Sequence, residues 1–304
     1  MSALSISLGA VPPFLRSCFP LLFVLIWSTG FIVARYGMPH AEPMTFLLMR
    51  FVGVLIVLVP VSLWFHAPWP DRALTWRIAL AGLLLQAGYL GGVWAAVREG
   101  MTAGLIALIV GLQPIITACL STLVQERVRP LQWVGLVLGL AGVALVVSTK
   151  ISLLGLSWQS LALAGLALAS ITAGTLYQKA RCPHFDLRTG GVIQFGASAL
   201  ICLPFVLFLE TREVDWHPEM IGALIWSVFA LSIGAISLLF VMIREGAATK
   251  VTSLLYLTPP TTAVMAHILF DEPITALTAA GIALTMLGVW LASHAVTQAR
   301  YASP

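Results

Sequence analysis

Apolar residues run along this chain in long blocks, and short polar or charged stretches separate the blocks. A helix needs about 20 apolar residues to cross the hydrocarbon core of a bilayer, and blocks of that length recur throughout. Breaks at charges, prolines and glycines give ten predicted spanning segments, namely residues 18–38, 44–64, 75–97, 102–124, 130–148, 157–178, 188–209, 219–243, 249–269 and 275–295. The pattern therefore predicts an all-α integral membrane protein with ten transmembrane helices and short connections.

The composition agrees with a membrane protein. The 304 residues are 60% hydrophobic and only 9% charged, whereas a soluble domain carries roughly 25% charged residues. These values exclude a soluble globular domain, a disordered chain and a disulfide-rich secreted protein. The first apolar block continues past the length of a signal-peptide core and no cleavage pattern follows it, so we expect the first spanning helix there.

The distribution of lysine and arginine predicts the orientation, because cytoplasmic loops carry the excess of these residues. With the N-terminus inside, eleven of the 16 basic residues fall on the inner side and five on the outer side. Both termini are therefore expected in the cytoplasm. The basic residues are scattered singly, which argues against nucleic-acid binding. Six tryptophans near segment ends are expected at the membrane interface: Trp64, Trp69, Trp76, Trp133, Trp158 and Trp216.

The chain contains an internal repeat. An offset of 144 residues aligns Gly30 with Gly174, Pro39-His40 with Pro183-His184, Thr45 with Thr189, Phe51 with Phe195 and Pro60 with Pro204. After a small shift in a loop, an offset of 146 aligns Arg98-Glu99-Gly100 with Arg244-Glu245-Gly246, Pro114 with Pro260, Glu126 with Glu272, Gly135 with Gly281 and Gly142 with Gly288.

The repeat spans five helices, so two units are predicted, at residues 18–148 and 157–295. Because five is odd, the second unit starts on the opposite side of the membrane, which gives an inverted-topology repeat. That architecture is typical of secondary transporters working by alternating access. The glycines of the fifth and tenth segments predict close packing between those helices, and a dimer face is the alternative.

Several short motifs resemble the drug/metabolite transporter superfamily, in particular its ten-helix EamA-type exporters. The matching stretches are Trp27-Ser28-Thr29-Gly30-Phe31, Pro43 followed by Arg50-Phe51, Pro114 with Glu126-Arg127, and Pro260 with Asp271-Glu272-Pro273. The resemblance covers almost the whole chain. It implies a carrier that exports amino acids or related metabolites, and the chain resembles the aromatic amino-acid exporters of this group.

Prolines predict where a substrate site would lie. Pro114 and Pro260, the latter preceded by Pro259, stand at the centres of repeat-related segments. A proline inside a helix leaves backbone carbonyls without partners, and at membrane depth such groups need a cavity or another partner. Interrupted helices at matching positions of two repeats point to a site near the bilayer centre. A simple structural kink is the alternative.

Polar and aromatic residues at mid-depth predict the walls of that site. The candidate substrate-binding residues are Trp27, Ser28, Gln86, Tyr89, Gln113, Thr172, Tyr177, Tyr256 and Thr258. Together they predict an aromatic cavity with a few hydroxyl and amide groups, suited to a small amphipathic or aromatic metabolite. Each of them could instead serve only as contact between helices.

Arg50 is the basic residue predicted well inside a span, away from the segment ends. It either pairs with a substrate carboxylate, or it snorkels outward or fixes its helix to a neighbour. All twelve acidic residues fall at segment ends or in loops, so a carboxylate proton relay at mid-membrane is not expected. Facilitated diffusion is the simpler hypothesis.

Other functions fit the sequence less well. Hydrolase and metalloprotease motifs and Cys/His metal spacings are absent from the sequence, so we expect no enzyme activity, no metal and no cofactor. A lipid-carrier flippase or a carrier of nucleotide sugars or other phosphorylated metabolites is the main alternative, although phosphates favour several fixed cations. The expected partners are a small-molecule substrate and the lipid bilayer of a bacterial inner membrane, with monomer and dimer both open.

Overall fold

The protein is all-helical in a computed structural model that describes residues 13–120, 130–154, 157–182, 184–238 and 257–301. The α-helices are α1 (Pro13–Gly37), α2 (Pro43–Trp64), α3 (Arg72–Gly82), α4 (Tyr89–Arg98), α5 (Ala103–Val110), α6 (Gln113–Leu120), α7 (Pro130–Leu154), α8 (Trp158–Arg181), α9 (Leu187–Phe208), α10 (Pro218–Trp226), α11 (Thr258–Phe270) and α12 (Ala276–Tyr301). Two π-helical stretches, π1 (Leu83–Gly88) and π2 (Ser227–Ala235), continue α3 and α10. The predicted all-α class is confirmed for these ranges.

Six helices in the described ranges are long and apolar enough to cross a membrane: Cys18–Gly37, Pro43–Trp64, Arg72–Arg98, Trp158–Arg181, Leu187–Phe208 and Pro218–Leu238. Three shorter apolar helices cover Ala103–Thr117, Trp133–Val146 and Ala276–Leu291. The six tryptophans predicted at the interface are all at least half exposed. These helices agree with the predicted multi-pass membrane protein, while the total of ten helices and the cytoplasmic termini stay predictions.

Short polar residues set the starts of several helices. The carboxylate of Asp71 accepts a hydrogen bond from the Leu74 N–H at 2.7 Å, and Ser157 caps the start of α8 through the Ser160 N–H at 3.1 Å. Pro43 and Pro218 occupy the first turns of α2 and α10. The Asp71 and Ser157 side chains satisfy donors that the first turn of a helix leaves unpaired, and a proline in that turn has no N–H to satisfy.

Glycines bring α7 and α12 together along their lengths. A Cβ atom on Gly142 would lie 2.6 Å from the Gly281 carbonyl oxygen, and one on Gly288 would lie 2.5 Å from the Gly135 carbonyl oxygen. The 146-residue offset relates Gly142 to Gly288 and Gly135 to Gly281. The contact of Gly142 with Gly281 and the contact of Gly288 with Gly135 are therefore equivalent under this offset. The expected packing between these two glycine-rich segments is therefore present.

The helices α2 and α9 form a second pair of this kind. Their Phe51 and Phe195 rings, which the 144-residue offset relates to each other, have centroids 5.8 Å apart. A contact between two residues that the offset relates is what a twofold arrangement of the predicted repeats would produce. The pair α2–α9 and the pair α7–α12 thus share one feature, a contact between repeat-related surfaces.

Carboxylates in the loops at one end of the bundle accept hydrogen bonds from the starts of neighbouring helices. We call this the α1–α2 end, and it includes residues 38–43, 99–102, 209–217 and 271–275. Glu210 accepts hydrogen bonds from the Met44 and Thr45 N–H groups at 2.8 and 2.7 Å, and from the Thr45 hydroxyl at 2.7 Å. Glu272 accepts one from the Ala103 N–H at 3.0 Å, so acids from the second half of the chain cap helices of the first.

Removing the Glu210 carboxylate should destabilise the protein. Glu210→Ala leaves two backbone donors at the start of α2 and one hydroxyl without this acceptor, and lost caps of this sort cost about 1–3 kcal/mol. We expect a lower midpoint of unfolding for the detergent-solubilised variant, measured by SDS titration.

Glu213→Ala is the control, since Glu213 stands exposed in the same loop. An equal shift in both variants would show that loss of a surface charge, rather than loss of the cap, causes the effect.

Candidate functional site

The two π-helical stretches occupy equivalent places in the predicted repeat. Shifting π1 by the 146-residue offset places it on residues 229–234, inside π2. A π turn shifts the backbone hydrogen bonds from their α-helical partners, and such turns are frequent at functional sites. Gln86 of the predicted site lies in π1, and Tyr89 follows directly after it.

A serine in each neighbourhood contacts a carbonyl of these distorted helices. The Ser232 hydroxyl donates to the Ser227 carbonyl oxygen at 2.9 Å within π2. The Ser198 hydroxyl of α9 donates to the Gly82 carbonyl oxygen at 3.1 Å, immediately before π1. Side-chain hydroxyls thus satisfy backbone groups where the α-helical pattern changes.

Arg50 lies inside the protein rather than at its surface. Its side chain is 6% exposed, and its Nε donates to the Ser232 hydroxyl at 3.1 Å. The Tyr89 phenol is near enough to interact electrostatically with the guanidinium. Among the described residues, no carboxylate lies within ion-pair distance of Arg50. The guanidinium therefore fixes α2 to π2 and retains N–H donors that these contacts do not use.

The repeat counterpart of Arg50 is neutral and already paired. Gln194 of α9 donates from Nε2 to the Gln178 side-chain oxygen at 2.7 Å. Its backbone packs on Gly82, where an added Cβ would lie 2.5 Å from the Gln194 Cα. The two positions thus hold similar places against the two π regions, but only one carries a charge.

A second group of polar residues surrounds the contact between α1, π2 and α11. Ser28 of α1 and Ser227 of π2 are fully buried, and Thr258 of α11 is 6% exposed. The hydroxyls of these three residues have no hydrogen-bond partner in the described part of the chain. Buried hydroxyls without partners are costly, so they mark a place where a ligand or water could supply the missing bonds.

Neighbouring hydrogen bonds place these three hydroxyls on helices in contact. The Thr262 hydroxyl, one turn after Thr258, donates to the Ser28 carbonyl oxygen at 3.3 Å. The Trp226 indole N–H donates to the Thr29 hydroxyl at 2.8 Å, which joins the neighbours of Ser28 and Ser227. The arrangement brings the predicted residues Ser28 and Thr258 to one region.

The predicted prolines stand at helix starts rather than at kinks within helices. The α5 helix ends at Val110 and α6 begins at Gln113, so Pro114 is the second residue of a new helix. Pro259 and Pro260 lie in the first turn of α11. The two breaks touch, since a Cβ atom on Gly111 would lie 2.7 Å from the Pro259 Cγ. A proline is tolerated in a first turn because its missing N–H has no helical partner there.

The remaining predicted residues are more dispersed. Gln113 donates from Nε2 to the Thr175 hydroxyl of α8 at 3.0 Å. The Thr172 hydroxyl donates to the Leu168 carbonyl of its own helix at 2.7 Å. Trp27 packs against Phe23 with ring centroids 5.4 Å apart.

Tyr177 lines a different space from the residues above. It borders a groove of about 520 Å³ between α3, α8 and α9, together with Trp76, Leu83 and Leu200. Trp76 and Leu200 are largely exposed, so this groove opens toward the predicted lipid side. Tyr256 lies outside the described residues.

Sequence reasoning missed Ser227, Ser232 and Thr262. The two serines stand five positions apart in an apolar run, a spacing that does not fit the 3.6-residue period of an α-helix. Only the wider π turn lets the Ser232 hydroxyl reach the Ser227 carbonyl. Thr262 stands four residues after Thr258, and that helical spacing could have indicated a shared face.

Comparison with known proteins identifies the family. The profile of the EamA-like transporter family matches residues 16–148 and 157–294, nearly the whole chain. The chain belongs to the EamA-like transporter family. It is therefore a membrane transporter, as the resemblance in its motifs indicated.

Relatives and a solved structure agree with this family. The chain is 28% identical over 245 residues to the uncharacterized inner membrane transporter YedA of Escherichia coli, which covers 79% of each protein. It is 25% identical to a protein of Salmonella typhimurium named "Probable amino-acid metabolite efflux pump", over 89% of this chain and 92% of that one. A crystal structure with 18% identity has a TM-score of 0.62 and covers 91% of this chain and 96% of its own, which shows the fold alone.

Within an EamA-like transporter, the two groups of residues have distinct chemistry. The first joins Arg50, Tyr89 and Ser232 and offers positive charge with hydroxyl groups. The second, around Ser28 and Thr258, offers neutral hydroxyls without partners in the described ranges. Each group includes a helix that contacts π2, namely α2 in the first group and α1 in the second, so π2 lies next to both groups.

Proposed function

We propose that this protein exports small metabolites that carry a carboxylate, in particular aromatic or neutral amino acids, across the inner membrane of a bacterium. The observation that carries the proposal is Arg50, a buried guanidinium in a spanning helix with no carboxylate beside it among the described residues. The relatives named as efflux pumps for amino-acid metabolites agree with the substrate class and the direction.

The electrostatic argument begins with the cost of a buried charge. A cation in a low-dielectric interior is expensive unless an anion or several hydrogen bonds compensate for it. In the described part of the chain, Arg50 is the buried cation, and its hydrogen bond to Ser232 engages Nε alone. A substrate carboxylate could pair with the remaining edge of the guanidinium in the geometry that arginine favours.

The other end of an amphipathic substrate would need apolar and aromatic surface. Tyr89 stands near the guanidinium, and Trp27 is half-buried on α1. Partnerless hydroxyls at Ser28 and Thr258 could accept the hydrogen bonds of an ammonium group. This assignment makes Arg50 the carboxylate partner and the α1–α11 contact the amine side of the site.

Alternating access would use two inverted five-helix repeats, at residues 18–148 and 157–295. The reciprocal glycine contacts of α7 and α12 support such a twofold arrangement, as does the contact between Phe51 and Phe195. The helix breaks at Gly111 and Pro259 contact each other. Such a contact also supports a site at the interface of the two repeats. In this proposal the two repeats rock against each other around the Arg50 region.

Transport should be facilitative and saturable. The described acidic residues all stand in loops or at helix starts, so no carboxylate is placed to relay protons past Arg50 in these ranges. In proteoliposomes that contain only this protein, we expect saturable counterflow of labelled phenylalanine or leucine. Because no proton is coupled to transport in this proposal, an imposed pH gradient should change the rate by less than about twofold. A twofold change in rate corresponds to less than about 1 kcal/mol in activation free energy.

Two outcomes would overturn parts of this proposal. Strong stimulation by the pH gradient would contradict facilitated diffusion and indicate proton coupling. Monodisperse protein that exchanges no amino acid would contradict the substrate class, and phosphorylated or lipid-linked substrates would then be tested. Those alternatives fit the structure less well, because phosphates favour several fixed cations. Arg50 is the one buried cation in the described ranges.

A further inference from the structure

Two histidines and a glutamate that are far apart in the sequence meet at the α1–α2 end. They are His40, in the turn between α1 and α2, and His217 with Glu219, at the start of α10. One potential ligand atom from each lies within 4.8 Å of the others. The sequence predicts no metal site because these residues lack a short ligand spacing, and only the fold assembles them.

The separations approach those of a coordinated metal ion. The Nε2 atom of His40 lies 3.4 Å from a Glu219 carboxylate oxygen, and the Nδ1 atom of His217 lies 3.9 Å from the same oxygen. Tetrahedral zinc with bonds of about 2.0–2.1 Å places its ligand atoms about 3.4 Å apart. The His40 and His217 rings are stacked nearly parallel with centroids 5.0 Å apart, so the His217 ring must rotate out of the stack to direct its Nδ1 lone pair at the ion. His217 and Glu219 are about half exposed, at 51% and 53%, which leaves room for this rotation.

Asp215 orients the more buried histidine. Its carboxylate lies 2.8 Å from the Nδ1 atom of His40, which leaves the Nε2 atom directed toward Glu219. A histidine that ligates a metal almost always donates its other ring N–H to a carboxylate, carbonyl or water, which fixes the ring and its tautomer.

The backbone holds the two loops together without any metal. The Asp215 N–H donates to the His40 carbonyl oxygen at 2.8 Å, and Ala41 forms an antiparallel bridge with Val214. The Glu42 carboxylate accepts from the Thr211 N–H at 2.6 Å and from its hydroxyl at 2.8 Å. The three ligands are therefore positioned by contacts of their neighbours, which lowers the ordering cost of binding.

We propose that His40, His217 and Glu219 bind one zinc ion, with Asp215 orienting His40 and a fourth coordination position open to water. Imidazole and carboxylate ligands suit zinc among the available divalent ions. The ion would join the α1–α2 turn to the start of α10. This zinc site is independent of the substrate proposed above and of the residues proposed to bind that substrate.

Zinc titration of tag-free protein in detergent tests the site. Competition with a chromophoric chelator should show one zinc ion per chain, and zinc should raise the melting temperature of the wild-type protein. His217→Ala and Glu219→Gln should each weaken the affinity by at least about tenfold, and Asp215→Asn by about 10–100-fold as orienting residues do. X-ray absorption of the loaded protein should show nitrogen and oxygen ligands with imidazole scattering.

His184→Ala is the matched control, since His184 is the repeat counterpart of His40 and is exposed in the loop after α8. It should bind zinc like the wild type. Absence of binding by well-folded wild-type protein would overturn the proposal. So would unchanged affinity in both His217→Ala and Glu219→Gln, or an equal loss in His184→Ala, because either would place the ion elsewhere.

Discussion

Arg50→Gln should bind and transport carboxylate substrates about 10–150-fold less well than the wild type while folding normally. The variant removes a charge-assisted hydrogen bond worth roughly 1.5–3 kcal/mol, which corresponds to that range. Glutamine is the residue at the repeat-equivalent position, Gln194, where it fits against the first π region. A glutamine at position 50 can also keep a hydrogen bond to Ser232, so the contact between α2 and π2 need not be lost.

Substrate analogues separate the electrostatic role of Arg50 from a structural one. The wild type should prefer an amino acid to the corresponding amino-acid amide, which lacks the carboxylate, and Arg50→Gln should lose this preference in counterflow assays. Arg50→Lys keeps the charge without the planar fork and should fall between the two. Arg72→Gln is the control, because Arg72 is exposed at the start of α3. Normal transport and an unchanged preference in Arg50→Gln would assign Arg50 to helix packing alone.

Gly288→Ala should destabilise the protein, whereas the same change at Gly165 should not. A Cβ atom on Gly288 would lie 2.5 Å from the Gly139 nitrogen and 2.5 Å from the Gly135 carbonyl oxygen. These are backbone atoms, so α7 and α12 must move apart to admit the methyl group. Overpacking of this kind costs about 1–3 kcal/mol, and it should lower the midpoint of SDS unfolding and the yield of monodisperse protein.

Gly165 provides the opposite expectation from the same chemical change. It stands exposed on α8, and nothing lies within 4 Å of an added Cβ. Alanine there gains up to about 1 kcal/mol of helix propensity. The two variants should therefore shift the unfolding midpoint in opposite directions. Equal midpoints for Gly288→Ala and Gly165→Ala would mean that α7 and α12 are not packed as closely as described.

The membrane class and the helix pairing could be predicted from the sequence because they depend on periodic or repeated features. Apolar length predicts spans, and the glycines of the last helix in each repeat predict tight packing. Arg50 could be singled out because a charge in an apolar block is conspicuous. Its partner Ser232 could not, since the π turn that presents the serine has no signature in residue type.

Other parts of the candidate site depend on contacts that no local pattern encodes. Pro114 predicts an interruption, but whether a proline kinks one helix or begins another depends on the neighbouring Gly111 and on Pro259 of a distant segment. The meeting of His40 with His217 and Glu219 depends on how two loops from different repeats come together. Single-sequence reasoning finds such residues only as isolated polar positions.

The reciprocal packing of α7 with α12 has a consequence for how the protein is made. The ribosome completes α7 long before α12, so the surface of α7 that receives Gly288 lacks this partner while the second half of the chain is synthesised. Because close helix approach in a bilayer depends on such small-residue surfaces, this unpaired surface is open to the α7 of another nascent chain. Correct assembly therefore requires that α12 of the same chain reaches α7 before the α7 of another chain does. Fast synthesis of the second half favours the correct pair.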